Sequence, residues 1–170
     1  MIHIVLYEPD IPWNTGNVGR SCVATGSRLH LVGKLGFSTD SKEIRRSGLD
    51  YWEKLNWVHH TDWESFLKST PVDAAFFFFS KKAKVSFWEA KFKPESYLIF
   101  GCETKGLPEN ILAPRSAQTY RIPMIPDSVR SLNLSTSVGI VLYEALRQLA
   151  PHPAPSPSRG EGGDGGDFSL

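Results

Sequence analysis

Residues 74–79 read AAFFFF. Successive side chains of a strand point to opposite faces, so four phenylalanines in a row put aromatic surface on both sides of any sheet that contains them. Such a strand is stable only where both faces are covered. Ile2 to Tyr7, Leu29 to Val32 and Tyr97 to Phe100 are further apolar runs of strand length, with Thr119 to Ile122 and a short piece near Trp57 as weaker candidates. Helix-length segments separate them, over Asn14 to Thr25, Ser41 to Arg46 and Trp63 to Lys68. Val138, Val141, Leu142, Ala145 and Leu149 recur at three- and four-residue steps and predict a last helix capped by Ser135 or Thr136. Continuous strand runs separated by helices predict an α/β fold with a mainly parallel sheet and helices on both faces. In such folds ligands collect on the loops that follow the strands.

The chain has 170 residues, which suits one domain. From Pro151 the sequence is PHPAPSPSRGEGGDGGDFSL, too poor in apolar surface to offset its ordering entropy. The reading is a folded domain over 1–150 and a disordered Pro/Gly-rich tail over 151–170. The tail holds Arg159 against Glu161, Asp164 and Asp167, a net −2, which leaves 18 basic and 15 acidic side chains, or +3, on the domain. So mild a charge argues against gripping nucleic acid by bulk electrostatics, yet it permits a local basic face. Lys42, Arg45 and Arg46 form one basic cluster, and Lys81, Lys82 and Lys84 another. Two cysteines, Cys22 and Cys102, are too few for a disulfide scaffold or a cysteine-based zinc site, so no metal is expected. No apolar run is long enough to span a membrane, and an acidic residue interrupts the apolar start, so the expected location is cytoplasmic.

Three regions after strand candidates carry the polar chemistry. Glu8 to Arg20, EPDIPWNTGNVGR, places Asn14, Gly16, Asn17, Gly19 and Arg20 where a strand gives way to a helix. It is either a turn with a surface arginine or an anion site, because the guanidinium fork suits a phosphate. Phe100 to Pro108, FGCETKGLP, brackets Glu103 between Gly101 and Gly106; the carboxylate either meets a ligand or caps a helix that Pro108 starts at its first turn. In RIPMIPDSVRSLNLSTS, residues 121–137, Pro123 and Pro126 bar a regular central strand after Ile122. The amides of Ser131 to Asn133 suit recognition of an adenine edge. Asn133 and Ser135 lead into the last helix, where Tyr143 is either an interface residue or a participant in chemistry. The G-x-G-x-x-G dinucleotide fingerprint is absent, which excludes an ordinary nucleotide-binding oxidoreductase.

NTGNVGR at 14–20, RRSGLDYW at 45–52, FGCETKGLP at 100–108 and RIPMIPDSVRSLNLSTSVGIVLYEALRQL at 121–149 occur in an order that resembles the knotted tRNA 2'-O-methyltransferases, the SpoU-related branch of the SPOUT superfamily. The resemblance runs from Ile2 to about Leu149. It is strongest to the members that methylate the ribose of the wobble nucleotide, cytidine or a modified uridine at tRNA position 34. It implies a C-terminal deep trefoil knot, S-adenosyl-L-methionine as methyl donor and S-adenosyl-L-homocysteine as product. It further implies tRNA as partner and a homodimer formed through the C-terminal helix. By the same resemblance, cofactor contacts are expected at Phe78, Gly101, Glu103, Ile122, Ser131 and Leu132. Arg20 matches the essential arginine and Tyr143 the helix tyrosine, while Asn14, Glu103, Asn133 and Ser135 match further site positions. The segment KKAKVSFWEAKF at 81–92 departs from the family pattern by lacking a glycine just after Lys81.

A guanidinium stays protonated throughout the working pH range, so Arg20 is expected to bind the phosphate beside the target ribose rather than to act as base; Glu103 is the fallback base. Methylation of another tRNA or rRNA ribose, or a catalytically inactive RNA-binding homologue, are the alternatives. Intact Arg20, Asn133 and glycine loops speak against the inactive one.

Overall fold

The computed structural model describes residues 1–39, 51–126 and 128–150. Among the described residues, seven strands form one sheet: β1 (His3–Tyr7), β2 (Arg28–Val32), β3 (Trp57–His60), β4 (Phe76–Phe79), β5 (Val85–Ser86), β6 (Tyr97–Phe100) and β7 (Thr119–Arg121). Their spatial order is β3-β2-β1-β6-β4-β7-β5, and every pair is parallel. Among the described residues the α-helices are α1 (Pro12–Thr25), α2 (Trp63–Lys68), α3 (Glu109–Leu112) and α4 (Leu134–Leu149). The expected helix over Ser41 to Arg46, with its basic cluster, and the tail over 151–170 lie outside the described residues.

The phenylalanine run does what its pattern requires. Phe77 and Phe79 enter a core on one side of the sheet with Ile4, Leu6, Leu98, Val18 of α1 and Val138, Val141 and Leu142 of α4. Phe78 enters the other, with Val5, Ile99, Phe66 of α2 and Ile111 of α3. Phe78 is fully buried, and burial on this scale contributes about 2–3 kcal/mol per large side chain. Within the second core's face, His3, His30 and His60 form a buried relay, with ring nitrogens 3.0 Å apart at both links. Burial, followed by the charges of His3, His60 and Arg28, holds His30 down to about 3.

Local chemistry explains the element ends. α1 opens with Pro12 in its first turn and closes on Gly26, whose φ of 65° lets its amide reach the carbonyls of Cys22 and Val23. The cap of α4 differs from expectation: Asn133 lies outside the helix and its Oδ1 accepts from the amides of Ser135 and Thr136, the two residues expected to cap. An amide oxygen at this position satisfies both orphan donors, so neither hydroxyl is needed. Pro108 likewise stands one place earlier than expected, at the N-cap of α3. β7 stops at Arg121, as the prolines demand. The two-residue β5 and four-residue α3 are too short to leave a periodic signal.

Candidate functional site

The loops that follow β1, β4, β6 and β7 converge on one cavity of about 460 Å³, a volume typical of small-molecule sites. Phe79, Phe100, Leu107, Ile122 and Leu132 give it apolar walls, while Lys81, Lys82, Lys105 and Arg130 stand at its border. It lies where the chain leaves adjacent strands β1 and β6 in different directions, the crevice position of an open parallel sheet.

The loop after β6 is built so that its backbone borders that space. The Gly106 amide donates to the Cys102 carbonyl at 3.0 Å, and Gly106 adopts a φ of 71°. A Cβ on Gly101 would lie 2.1 Å from the Gly106 carbonyl carbon, so only glycine permits this fold-back.

The fold-back aims Glu103 across the cavity at the start of α1. Its Oε2 accepts from the Asp10 amide at 2.8 Å; its Oε1 accepts from the Ile11 amide at 3.3 Å and from Asn14 Nδ2 at 2.8 Å. Ile11, the N-cap of α1, has no side chain able to cap, and Glu103 supplies the missing acceptor from 92 residues away. Asn14 Oδ1 then accepts from Asn133 Nδ2 at 2.9 Å, and Asn133 caps α4. Thr104 adds a hydroxyl donated to the Asp10 carboxylate at 2.7 Å. One polar chain thus joins the entrance of α1, the loop after β6 and the entrance of α4.

Of the residues expected at the site, Asn14, Gly101, Glu103, Ile122, Ser131, Leu132 and Asn133 border the cavity together. Phe78 does not. Strand alternation turns its ring to the opposite core, where the Arg115 guanidinium lies 5.5 Å from its centroid, and its neighbour Phe79 faces the cavity instead, stacked on Phe100 at 4.8 Å. Ser135 also stands back from the lining, its hydroxyl donated to Asn133 Oδ1 at 2.7 Å; Ser137, two residues on, borders the cavity. Glu103, the fallback base, is occupied by three protein donors and works as a tie between loops.

Arg20 and Tyr143 lie outside the cavity lining, and both are exposed. Arg20 shares an outward stripe of α1 with Trp13 and Asn17, and its guanidinium carbon sits 5.0 Å from the centroid of the Tyr51 ring. The Tyr51 hydroxyl donates to the Gly16 carbonyl at 3.0 Å, fixing the ring beneath the arginine. Tyr51 belongs to the motif at 45–52, but its place under Arg20 leaves no trace in spacing. Tyr143 shares the outward stripe of α4 with Thr136, Ile140 and Arg147.

Chemically, the cavity can enclose a small molecule with apolar and polar parts against non-helical backbone at Gly101, Ile122, Ser131 and Leu132. Its cationic border suits a polyanion outside it.

Comparison with known proteins agrees with this geometry. The pattern of the SpoU rRNA Methylase family matches residues 1–143. The tRNA (cytidine(34)-2'-O)-methyltransferase of Escherichia coli strain K12 is 47% identical over 150 residues, covering 88% of this chain and 94% of its own. The enzyme of that name from Yersinia pestis is 47% identical over 154 residues, covering 88% and 94%. A solved structure described by "the 2-OH methylation of C/U34 on tRNA" superimposes with a TM-score of 0.83 at 48% identity, covering 88% of this chain and 96% of that one. An AdoMet-bound rRNA methyltransferase from Sinorhizobium meliloti superimposes with a TM-score of 0.78 at 25% identity, over 88% of this chain and 57% of its own.

Proposed function

The chain belongs to the SpoU rRNA Methylase family, and from that premise we propose that it methylates the ribose 2'-hydroxyl of nucleotide 34 of tRNA, cytidine or a modified uridine, using S-adenosyl-L-methionine. The observation that carries this reading is the cavity itself: a glycine-cradled loop and two helix entrances tied through Glu103, Asn14 and Asn133, in a chain that aligns with nearly the full length of the position-34 enzymes.

The residues present fit the cofactor. Gly101, which tolerates no Cβ, lets backbone approach a ligand, and Ile122, Ser131 and Leu132 offer backbone outside regular structure beside the apolar walls of Phe79 and Phe100. When bound, S-adenosyl-L-methionine supplies a methyl group already activated on a sulfonium. The protein's task is alignment of the ribose oxygen and removal of its proton. Arg20, held over Tyr51, grips the phosphate beside the target ribose and balances developing charge. Glu103 has both oxygens engaged and Arg20 stays protonated, so the hydroxyl proton leaves to that phosphate or to water.

Among the described residues, Arg20 and Tyr143 do not line the cavity after β1, β4, β6 and β7, which favours a homodimer in which a second copy brings them to the site. Exposed apolar side chains on the outward stripes of the two helices, Trp13, Ile140 and Tyr143, support that contact. The family resemblance supports a trefoil knot in the region around the cavity, and the Lys81 ammonium donating to the Arg130 carbonyl at 3.4 Å is consistent with closely interleaved loops there.

Incubation of the purified chain with methyl-labelled cofactor and bulk tRNA, followed by nucleoside analysis and mapping, tests the function. Label in a 2'-O-methylated nucleoside at position 34 is expected. Cofactor binding without label, or label mapped to another nucleotide, overturns it.

A further inference from the structure

We infer that the segment from Lys81 to Trp88 is a docking strip for RNA that runs outward from the cavity along the sheet edge, with Trp88 stacking on an unpaired base and the lysines meeting phosphates. The inference rests on the tRNA reading above and extends it to a surface outside the cofactor cavity. Lys81 and Lys82 already border the cavity. The chain then passes Lys84, forms the edge strand β5 and turns at residues 87–89. Ser86 is in register with Arg121, whose next residue, Ile122, lines the cavity, so the strip stays at the cavity's end of the sheet.

Trp88 is 59% exposed, the most of the five tryptophans; Trp52, Trp57 and Trp63 pack on the cores. A single exposed indole is ordinary. This one is braced: its amide donates to Ser86 Oγ at 3.3 Å and its ring lies 4.0 Å from that of Phe87, which is fully buried. Lys81, Lys82 and Lys84 are exposed, and among the described residues none of them forms an ion pair. Farther on the balance changes, since Lys91 and Lys93 share a shallow depression with Asp73 and Glu89. Uncompensated cations leading to a braced aromatic face match the pattern that binds single-stranded nucleic acid, where stacking tolerates any base.

The test measures binding of labelled tRNA at several salt concentrations for the full chain and for Trp88→Ala, Trp88→Phe and Lys84→Ala, with cofactor affinity and sedimentation in parallel. Trp88→Ala should weaken tRNA binding about fivefold or more, with Trp88→Phe restoring most of it. Lys84→Ala should make the slope of log affinity against log salt less negative by about 0.7, the value of one single-strand phosphate contact. Cofactor affinity and sedimentation should not change. Unaltered tRNA affinity and salt slope in both alanine variants overturn the strip, as does a change of assembly in Trp88→Ala, which would mean a second copy covers the ring. Strip-dependent binding without methyl transfer would remove the functional reading and leave the strip; transfer with strip-independent binding would do the reverse.

Discussion

Glu103→Gln separates architecture from chemistry. Glutamine keeps the shape of the side chain and one acceptor oxygen, but the pocket around residue 103 offers only donors: the Asp10 amide at one oxygen, the Ile11 amide and Asn14 Nδ2 at the other. Either placement of the glutamine amide turns its NH2 group against a donor. At least one charge-assisted bond is lost, worth about 1.5–3 kcal/mol, and the half-buried setting puts the net cost near the lower end, about 2 kcal/mol. For a folded unit near 150 residues this corresponds to a fall in Tm of about 4–8 °C by calorimetry. Cofactor affinity should fall with it, because the tie between the loop after β6 and the entrance of α1 is weakened, leaving Thr104 on Asp10 as the intact link. Asn14→Ala shares the Oε1 contact, so the double variant should show a coupling of about 1 kcal/mol rather than additive losses. With both substrates saturating, the single-turnover rate of Glu103→Gln should keep the wild-type pH profile. An unchanged Tm together with a rate loss of about a hundredfold or more would refute the reasoning and make Glu103 a base.

Arg20→Lys retains charge but loses the planar fork above Tyr51, so single-turnover transfer should drop severely while cofactor binding by calorimetry barely moves. Tyr143→Phe should sediment as the wild type does, a homodimer being expected for both, yet transfer about tenfold more slowly, the cost of one hydrogen bond of about 1.4 kcal/mol; an unchanged rate would leave Tyr143 as interface packing. The buried His30 is held at about 3 against an ordinary 6.5, so the unfolded chain binds the extra proton between those values. Its stabilisation is complete above pH 6.5 and lost as pH falls, by about 1.4 kcal/mol at pH 5.5, with His60 lowered by burial adding in the same sense. Thermal melts between pH 7.5 and 5.5 should show that decline in the wild type and a flatter one in His30→Leu. Truncation after Ala150 should leave both Tm and transfer unchanged, as the composition of the tail implies.

The parallel sheet was legible because strands buried on both faces cannot hide: Phe76–Phe79 and Tyr97–Phe100 have no polar alternative side to present. What the chain's pattern could not assign was direction and partnership. Phe78 and Phe79 are the same residue type one step apart, and only the packing of α1 and α4 on one face decides which of them meets the cavity. Asn133, Ser135 and Thr136 are all competent caps; the winner was set by Asn14, 119 residues away, which draws the Asn133 amide nitrogen and leaves its oxygen for the helix. Glu103 illustrates the same limit at the site. A carboxylate between glycines on a post-strand loop reads equally as a base or as a cap, because sequence records the acceptor but not who donates. Three donors from the α1 entrance meet its two oxygens, so the carboxylate holds the loops in place. Under the proposed function the proton then leaves to the phosphate beside the target ribose or to water, so placement of the RNA by Arg20 and the lysine border is expected to set the rate as well as the affinity.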